Sequence, residues 1–381
     1  MQEIFKGRIR DISSEGHGVV DHPSGMVFFV RGAWPGDEGE FVVEARQKKY
    51  GTARIAQLTV PSPDRQEPEC PHLGWQEGRC GGCSWMIAKY ESQLFYKQKR
   101  IQYLLEKNRL LSADTKVLPI QRSHKTVGYR NRAQVKTNGK SLGYVSPGSK
   151  VIADVQNCVI LTEKNRQTLK ELRTSLPNQH WQPKPPYLWN YIDIDEDVDG
   201  ASVVLNQRRE FRQANNEQNQ FMKTWLQQKL QNEDKKTPVV ELFAGSGNFT
   251  RVFAEEGFSA IFSAEMDQQA VQKLQKEGWK GVRGFAVDLY NPAQWTHIPA
   301  NVKSAELLLL DPPREGFKLL EKYVESFSQL KKIIYISCEP YEWAQNIRGL
   351  IQKQWLLSEV LPVDQFPNTP HVEVLSVLVK R

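Results

Sequence analysis

The chain has 381 residues, 39% of them hydrophobic, enough for two or three domains with their own cores. No stretch approaches the roughly 18 apolar residues of a membrane span, and the opening MQEIFKGRIR holds no apolar leader, so a cytoplasmic protein without a membrane partner is expected. The net charge of +7 hints at a polyanionic partner, and an odd count of five cysteines argues against a disulfide framework.

Residues 1–60 read as short strands between glycine turns: FKGRIRDI, GHGVVDH, GMVFFVRG, GEFVVEARQ and YGTARIAQLTV. Such spacing without a helical period predicts a small OB-like β-barrel. Phe28, Phe29 and Trp34 beside Arg31 are candidates for stacking bases there. VPSPDRQEPECP reads as a linker. Residues 61–215 form a second, central β-rich region. Within it, Met86, Tyr90, Leu94, Ile101 and Leu105 fall near helical spacing, so a helix is predicted over 84–115, with another near 163–174. Residues 121–150 carry Arg122, Lys125, Arg130, Arg132, Lys136, Lys140 and Lys150 without one acid, the pattern of a phosphate-binding surface.

From residue 216 to 381 the style changes. PVVELF, SAIFSAE, GVRGFAVD, AELLLLD and KKIIYIS alternate with helix-like stretches, which predicts a doubly wound, Rossmann-like α/β domain. WLLSEVLPV and HVEVLSVLV follow without a helix between them and read as a terminal antiparallel pair.

The chemistry gathers at the predicted strand ends. In VVELFAGSGNFT, Gly245 and Gly247 let the backbone approach a ligand after the first strand. Glu265, ending the next strand, suits ribose hydroxyls, and Asp288 after the third can reach an adenine edge. NAD and S-adenosylmethionine both use that arrangement. The third glycine of the dinucleotide fingerprint is replaced by Thr250, which favours S-adenosylmethionine. LLLLDPPREG places Asp311 at the crevice, and IIYISCEP places Cys338 over the same crevice. A thiolate beside a methyl donor suits pyrimidine 5-methylation: it adds to carbon 6, carbon 5 is methylated, and a base then removes the carbon 5 proton. Glu373 in TPHVEVLSVL is the candidate base. The remaining cysteines, C-x9-C-x2-C over Cys70, Cys80 and Cys83 plus Cys158 downstream, suit tetrahedral zinc or an iron–sulfur cluster, and spacing alone slightly favours zinc, the commoner structural metal.

ELFAGSGNF, DPPREG, ISCEP and TPHVE, in that order, resemble the RNA uracil-5-methyltransferases of the RumA and TrmA group. The resemblance implies that Cys338 is the nucleophile and Glu373 the proton acceptor. It implies a cofactor pocket of Phe243, Gly245, Gly247, Asn248, Glu265, Asp288 and Asp311. FRQANNEQN is similar to the family's F-x-Q-x-N stretch, so Gln213 is expected to contact S-adenosylmethionine and Phe211 to support the target base. The barrel resembles a TRAM domain. CGGC after C-P-H, with a later lone cysteine, resembles the family's structural [4Fe-4S] site, which assigns Cys70, Cys80, Cys83 and Cys158 as ligands. The 84–115 helix is expected to pack on the catalytic domain. A barrel with a cluster, as in RlmD-like members, points first to 23S ribosomal RNA. The T-loop uridine of transfer RNA is the alternative, and a non-catalytic RNA-binding factor is a third reading. A monomer without a protein partner is expected. This chain departs from the pattern at Glu339, where an asparagine is usual after the nucleophile, and carries WQEGR as extra residues in the first cysteine loop.

Overall fold

The structure is a computed structural model that describes residues 3–298 and 300–381. It divides into two compact units, one of Met1–Tyr96, His124–Asn216 and Phe366–Pro370, the other of Lys97–Ser123, Glu217–Gln365 and His371–Arg381.

The first unit begins with β1 (Ile4–Ile12), β2 (Gly18–Asp21), β3 (Val27–Arg31), β4 (Glu38–Arg46) and β5 (Tyr50–Val60), closed into a barrel in the order β1-β2-β3-β5-β4. The strands are antiparallel except for the β3–β5 pair, the Greek-key order of an OB-type barrel. Closure leaves no open sheet edge. Alternation along β3 sends Phe28 and Val30 inward onto Phe5, Ile9 and Phe41. Phe28 is therefore core, not a base-stacking surface. Trp34 is likewise fully buried: its ring meets Trp85 edge-on at 5.1 Å and its Nε1 donates to Ser92 Oγ at 3.1 Å. Of the three aromatics, Phe29 alone faces outward, its ring centroid 5.4 Å from that of Tyr50.

Helix α1 (Tyr90–Lys107) follows, and then β6 (Lys116–Val117). From Lys97 onward α1 belongs to the second unit, where Ile101, Leu104 and Leu105 enter its core. The central sheet of the first unit comprises β7 (Arg132–Thr137), β8 (Leu142–Val145), β9 (Ile152–Asp154) and, after α2 (Glu163–Thr174), β10 (Asn190–Asp195), in the order β10-β7-β8-β9. The acid-free run at 121–150 is not acid-free in space. β10 lies antiparallel beside β7, and Arg132 Nη2 donates to the buried carboxylate of Asp193 at 2.8 Å. Arg130 Nε donates to Arg132 O, and its guanidinium sits 5.8 Å from the Phe366 ring centroid. Part of the predicted phosphate-binding charge is thus used within the unit.

The second unit runs through α3 (Asn216–Leu230), β11 (Val239–Leu242), α4 (Thr250–Glu255), β12 (Ile261–Glu265), α5 (Gln268–Lys276), β13 (Val282–Ala286), β14 (Leu307–Leu310), α6 (Leu320–Glu325), β15 (Lys332–Ser337), α7 (Pro340–Gln352), β16 (Trp355–Val363) and β17 (Glu373–Lys380). Its sheet has the order β13-β12-β11-β14-β15-β17-β16-β6. β11 to β15 are mutually parallel, and β17 is antiparallel to both its neighbours. Both faces are covered, so strands such as LLLL at 307–310 are apolar throughout instead of alternating. One face packs against α1, α6 and α7, the other against α3 and α4. Among the described residues no helix is long and apolar enough to cross a membrane.

Within this unit Lys97 Nζ lies 2.5 Å from Asp364 Oδ1, and both side chains are fully buried. Asp364 follows β16, its amide donates to Gln121 O, and its carbonyl accepts from Gln218 Nε2. Removing one member of a buried pair strands the other charge in a medium that solvates it poorly. Lys97→Met is expected to lower stability by about 3–5 kcal/mol, read as a shift in the urea midpoint of the purified protein.

Candidate active site

The order β12-β11-β14 reverses the winding direction, and this switch point opens a crevice at the strands' carboxyl ends. The turn after β11 lines one side of it. Phe243, Gly245 and Gly247 have φ of 61°, 55° and 99°, a left-handed run that lifts the backbone off the strand axis. A Cβ on Gly245 would meet nothing within 4 Å, so the space beside it is open, whereas one on Gly247 would strike Trp279. Gly245 N donates to Glu265 Oε2 at 2.9 Å, and Glu265 Oε1 accepts from the amides of Met266 and Asp267. The turn and the carboxylate at the end of β12 thus hold one another. Phe243 stacks its ring 5.8 Å from Tyr290, and Asp288 Oδ1 accepts from Tyr290 N. Asp288 lies two residues beyond β13 instead of on it. Asn248 exchanges paired amide bonds with Asn219.

Beneath the turn is a carboxyl that the sequence pattern hid inside an apolar run. Glu241 on β11 is buried and accepts hydrogen bonds from Thr250 Oγ1 and from Ser263 Oγ. Desolvation, reinforced by Asp311, pushes its carboxyl up to about 8.

On the other side of the switch point, Asp311 follows β14 and Cys338 follows β15. β17 pairs with β15 in a register that ends at Ser337↔Val374, so the next residues outward, just past the end of β15, are Cys338 and Glu373, and the Glu373 carboxyl acts on the Cys338 thiol. Glu373 is buried, and its Oε2 has no hydrogen-bond partner among the described residues. Burial, with Asp311 adding to it, pushes the Glu373 carboxyl up to about 8, and burial alone takes Asp311 to about 7. Cys338 is half-buried. Desolvation raises its thiol strongly, Glu373 and Asp311 raise it further, and Arg314 opposes them. Arg314 also acts against the rise at Glu373. The crevice therefore gathers a nucleophile, a buried carboxyl with a vacant oxygen, a second carboxyl and one cation, a set suited to addition followed by proton abstraction.

Phe211 and Gln213 belong to the first unit. Phe211 is 78% exposed, whereas Gln213 is buried and its carbonyl accepts from Asn131 Nδ2. In the same unit, Cys70, Cys80, Cys83 and Cys158 line one cavity of about 20 Å³. Tyr144 Oη donates to Cys158 Sγ at 3.7 Å. Burial pushes Cys80 up to about 11 and raises Cys83 and Cys158, with the neighbouring cysteines adding to it. The WQEGR segment is folded back by Arg79, whose Nη2 donates to Pro71 O and Leu73 O. Among the described residues no group of three or more His, Cys, Asp or Glu side chains is placed to hold a metal ion as it stands.

A family model described as tRNA (uracil-5-)-methyltransferase matches residues 297–381. An RNA methyltransferase of Nitrosomonas europaea, named as uncharacterized, is 41% identical over 99% of this chain and 97% of its own. The chain belongs to the RNA uracil-5-methyltransferase family. It is an RNA methyltransferase. More distantly, the 23S rRNA (uracil(1939)-C(5))-methyltransferase RlmD of Chromohalobacter salexigens is 24% identical over 98% of this chain and 88% of its own. The tRNA (uracil-54, C5)-methyltransferase of Pyrococcus abyssi, solved with S-adenosyl-L-homocysteine, superposes with a TM-score of 0.72 at 19% identity, covering 98% of this chain and 100% of that one. That likeness shows a shared fold.

The Arg314 and Glu241 positions went without a role in the sequence, Glu241 because one acid inside VVELF looks like any strand residue. A carboxyl raised by burial keeps its proton in the folded state. Its contribution to stability is complete below the ordinary carboxyl range and is lost as pH rises to about 8. Glu241→Gln is expected to flatten the fall in melting temperature between pH 5 and 8, measured by calorimetry; an unchanged slope would remove Glu241 from that account.

Proposed function

We propose that the enzyme methylates carbon 5 of a uridine in 23S ribosomal RNA through a covalent adduct on Cys338. The observation that carries this reading is the register that leaves Cys338 and Glu373 as the next residues outward at the crevice of the glycine turn. S-adenosylmethionine, when bound, supplies an electrophilic methyl group. The residues that would hold it are Phe243, Gly245, Gly247, Asn248, Glu265, Asp288 and Asp311. The open space beside Gly245 and the carboxylate next to it fit such a ligand. Cys338, as the thiolate, bonds carbon 6 of uracil and places an electron pair on carbon 5. Carbon 5 would take the methyl group as the donor's sulfur–methyl bond breaks, leaving S-adenosylhomocysteine. Glu373, in its ionised form, accepts the carbon 5 proton at its vacant Oε2, and the sulfur–carbon bond breaks as the ring double bond returns. Arg314 stabilises the thiolate against the carboxyls around it. Phe211 supports the base, which leaves its stack to reach the sulfur.

In this reading residues 1–60 act as a TRAM-like RNA-binding barrel, 61–215 as the cluster-bearing domain, and 216–381 as the catalytic domain. The outward surface of Phe29, Tyr50 and Arg31 replaces Phe28 and Trp34 as the barrel's RNA face. Arg130 and Arg132 help to form the RNA-facing basic segment. The whole-length similarity to RlmD supports ribosomal RNA. The fold shared along the whole chain with a tRNA enzyme supports the T-loop uridine as the second reading. Four thiols line one cavity, three of them, Cys80, Cys83 and Cys158, raised by burial with neighbouring cysteines adding to it, and a cationic centre would relieve such a donor set. Cys70, Cys80, Cys83 and Cys158 would hold a structural [4Fe-4S] cluster.

Incubation with tritiated S-adenosylmethionine and total RNA is expected to label 23S rRNA as 5-methyluridine; label confined to tRNA would move the assignment to the second reading. Cys338→Ala should abolish labelling. Glu373→Gln should accumulate a protein–RNA adduct, seen as a slower band on a denaturing gel, and its absence would mean that another group takes the proton. Protein purified anaerobically should show the visible absorbance of an iron–sulfur cluster; a colourless, zinc-loaded and fully active enzyme would overturn the iron assignment.

A further inference from the structure

The residue after the nucleophile presents an electrostatic problem within the second unit. Glu339 caps α7, its carboxylate accepting from Tyr341 N, and so fixes a negative group one residue from the Cys338 sulfur. The groups that face Cys338 are Glu373 from β17, Asp311 and Arg314 from the segment after β14, Tyr335 from β15, and Glu339 itself. Of these, Glu373, Asp311 and Glu339 oppose a negative sulfur, and Arg314 favours it. Glu339 has a cation beside it. Arg100, on the face of α1 one turn beyond Lys97, sets its Nη2 3.5 Å from Glu339 Oε1. The two side chains are only 20% and 32% exposed, so their attraction is less screened than that of a surface pair. A guanidinium keeps its charge across the working pH range.

We propose that Arg100 is a positioning residue that neutralises the Glu339 carboxylate and so keeps it from opposing the thiolate of Cys338. The inference rests on the reading of Cys338 as the nucleophile, yet its test needs no RNA. In this proposal Arg100 acts through Glu339 and through the start of α7. A purely structural role for the pair predicts lost stability without a specific effect on the sulfur. An electrostatic role predicts that removing Glu339 matters only once Arg100 is gone.

The readout is the rate at which iodoacetamide alkylates Cys338 in the full-length protein, followed by mass spectrometry of the peptide that contains it, from pH 7 to 10. Peptide resolution separates this sulfur from the other four. Arg100→Met is expected to slow alkylation at fixed pH by about three- to tenfold, the effect of roughly half to one unit on the thiol. Glu339→Gln alone is expected to change the rate less than about twofold, because the charge it removes is already offset. The double variant should return to the wild-type range. An Arg100→Met rate equal to wild type, a double variant that stays slow, or a several-fold acceleration by Glu339→Gln alone would each overturn the proposal. Should Arg100→Met fail to fold, the Glu339→Gln result still decides it. Methylation by Cys338→Ala would instead sink the nucleophile assignment and leave this coupling measurable.

Discussion

The pairing of β15 with β17 in opposite directions is the constraint on which the candidate site depends. In the parallel part of the sheet, only residues that end a strand can reach the crevice. Asp311 and Cys338 do so. A residue that begins a strand reaches the same edge only if that strand runs the other way. β17 does, and Glu373 thereby arrives beside the end of β15. A slip of one residue in this register would turn Glu373 to the opposite face of the sheet. The mostly apolar run of β17, sandwiched between two cores, specifies the register strongly.

The same burial that orders the strands sets the chemistry. Glu241, Asp311 and Glu373 are raised because water is scarce at this end of the sheet, and Asp311 raises the other two further. Such a site favours neutral carboxyls until a cation enters. It also makes the sulfur reluctant to ionise. Arg314 is the cation that acts on both the sulfur and Glu373. Arg100 stands one layer further out, on a helix whose apolar stripe anchors it in the core while its charged positions meet Asp364 and Glu339. The helix thus secures the segments that lead to Glu373 and from Cys338 with two separate ion pairs.

Much of this was readable from residue order. The glycine turn, the aspartate before two prolines, the late cysteine and the glutamate on the last strand each mark a strand end, and the strands themselves stand out as short apolar runs between helices. These signals are local, because backbone period and turn chemistry depend on neighbours a few residues away. Lys97 and Arg100 carried a signal too. They fall among Leu94, Ile101 and Leu105, where an apolar stripe should hold no charge unless a partner awaits it, but nothing local names that partner.

The strand ends, the order of the motifs and the family were therefore set by the linear chain. The fates of its individual charges and rings were not. Arg132 looked free until β10 brought Asp193 beside it, Phe28 looked like a stacking platform until the barrel closed around it, and Glu241 looked like an ordinary strand residue until both faces of its sheet were covered. Electrostatics and desolvation act through space and depend on what lies within a few ångströms. Those neighbours come from residues tens to hundreds of positions away, and folding alone brings them together.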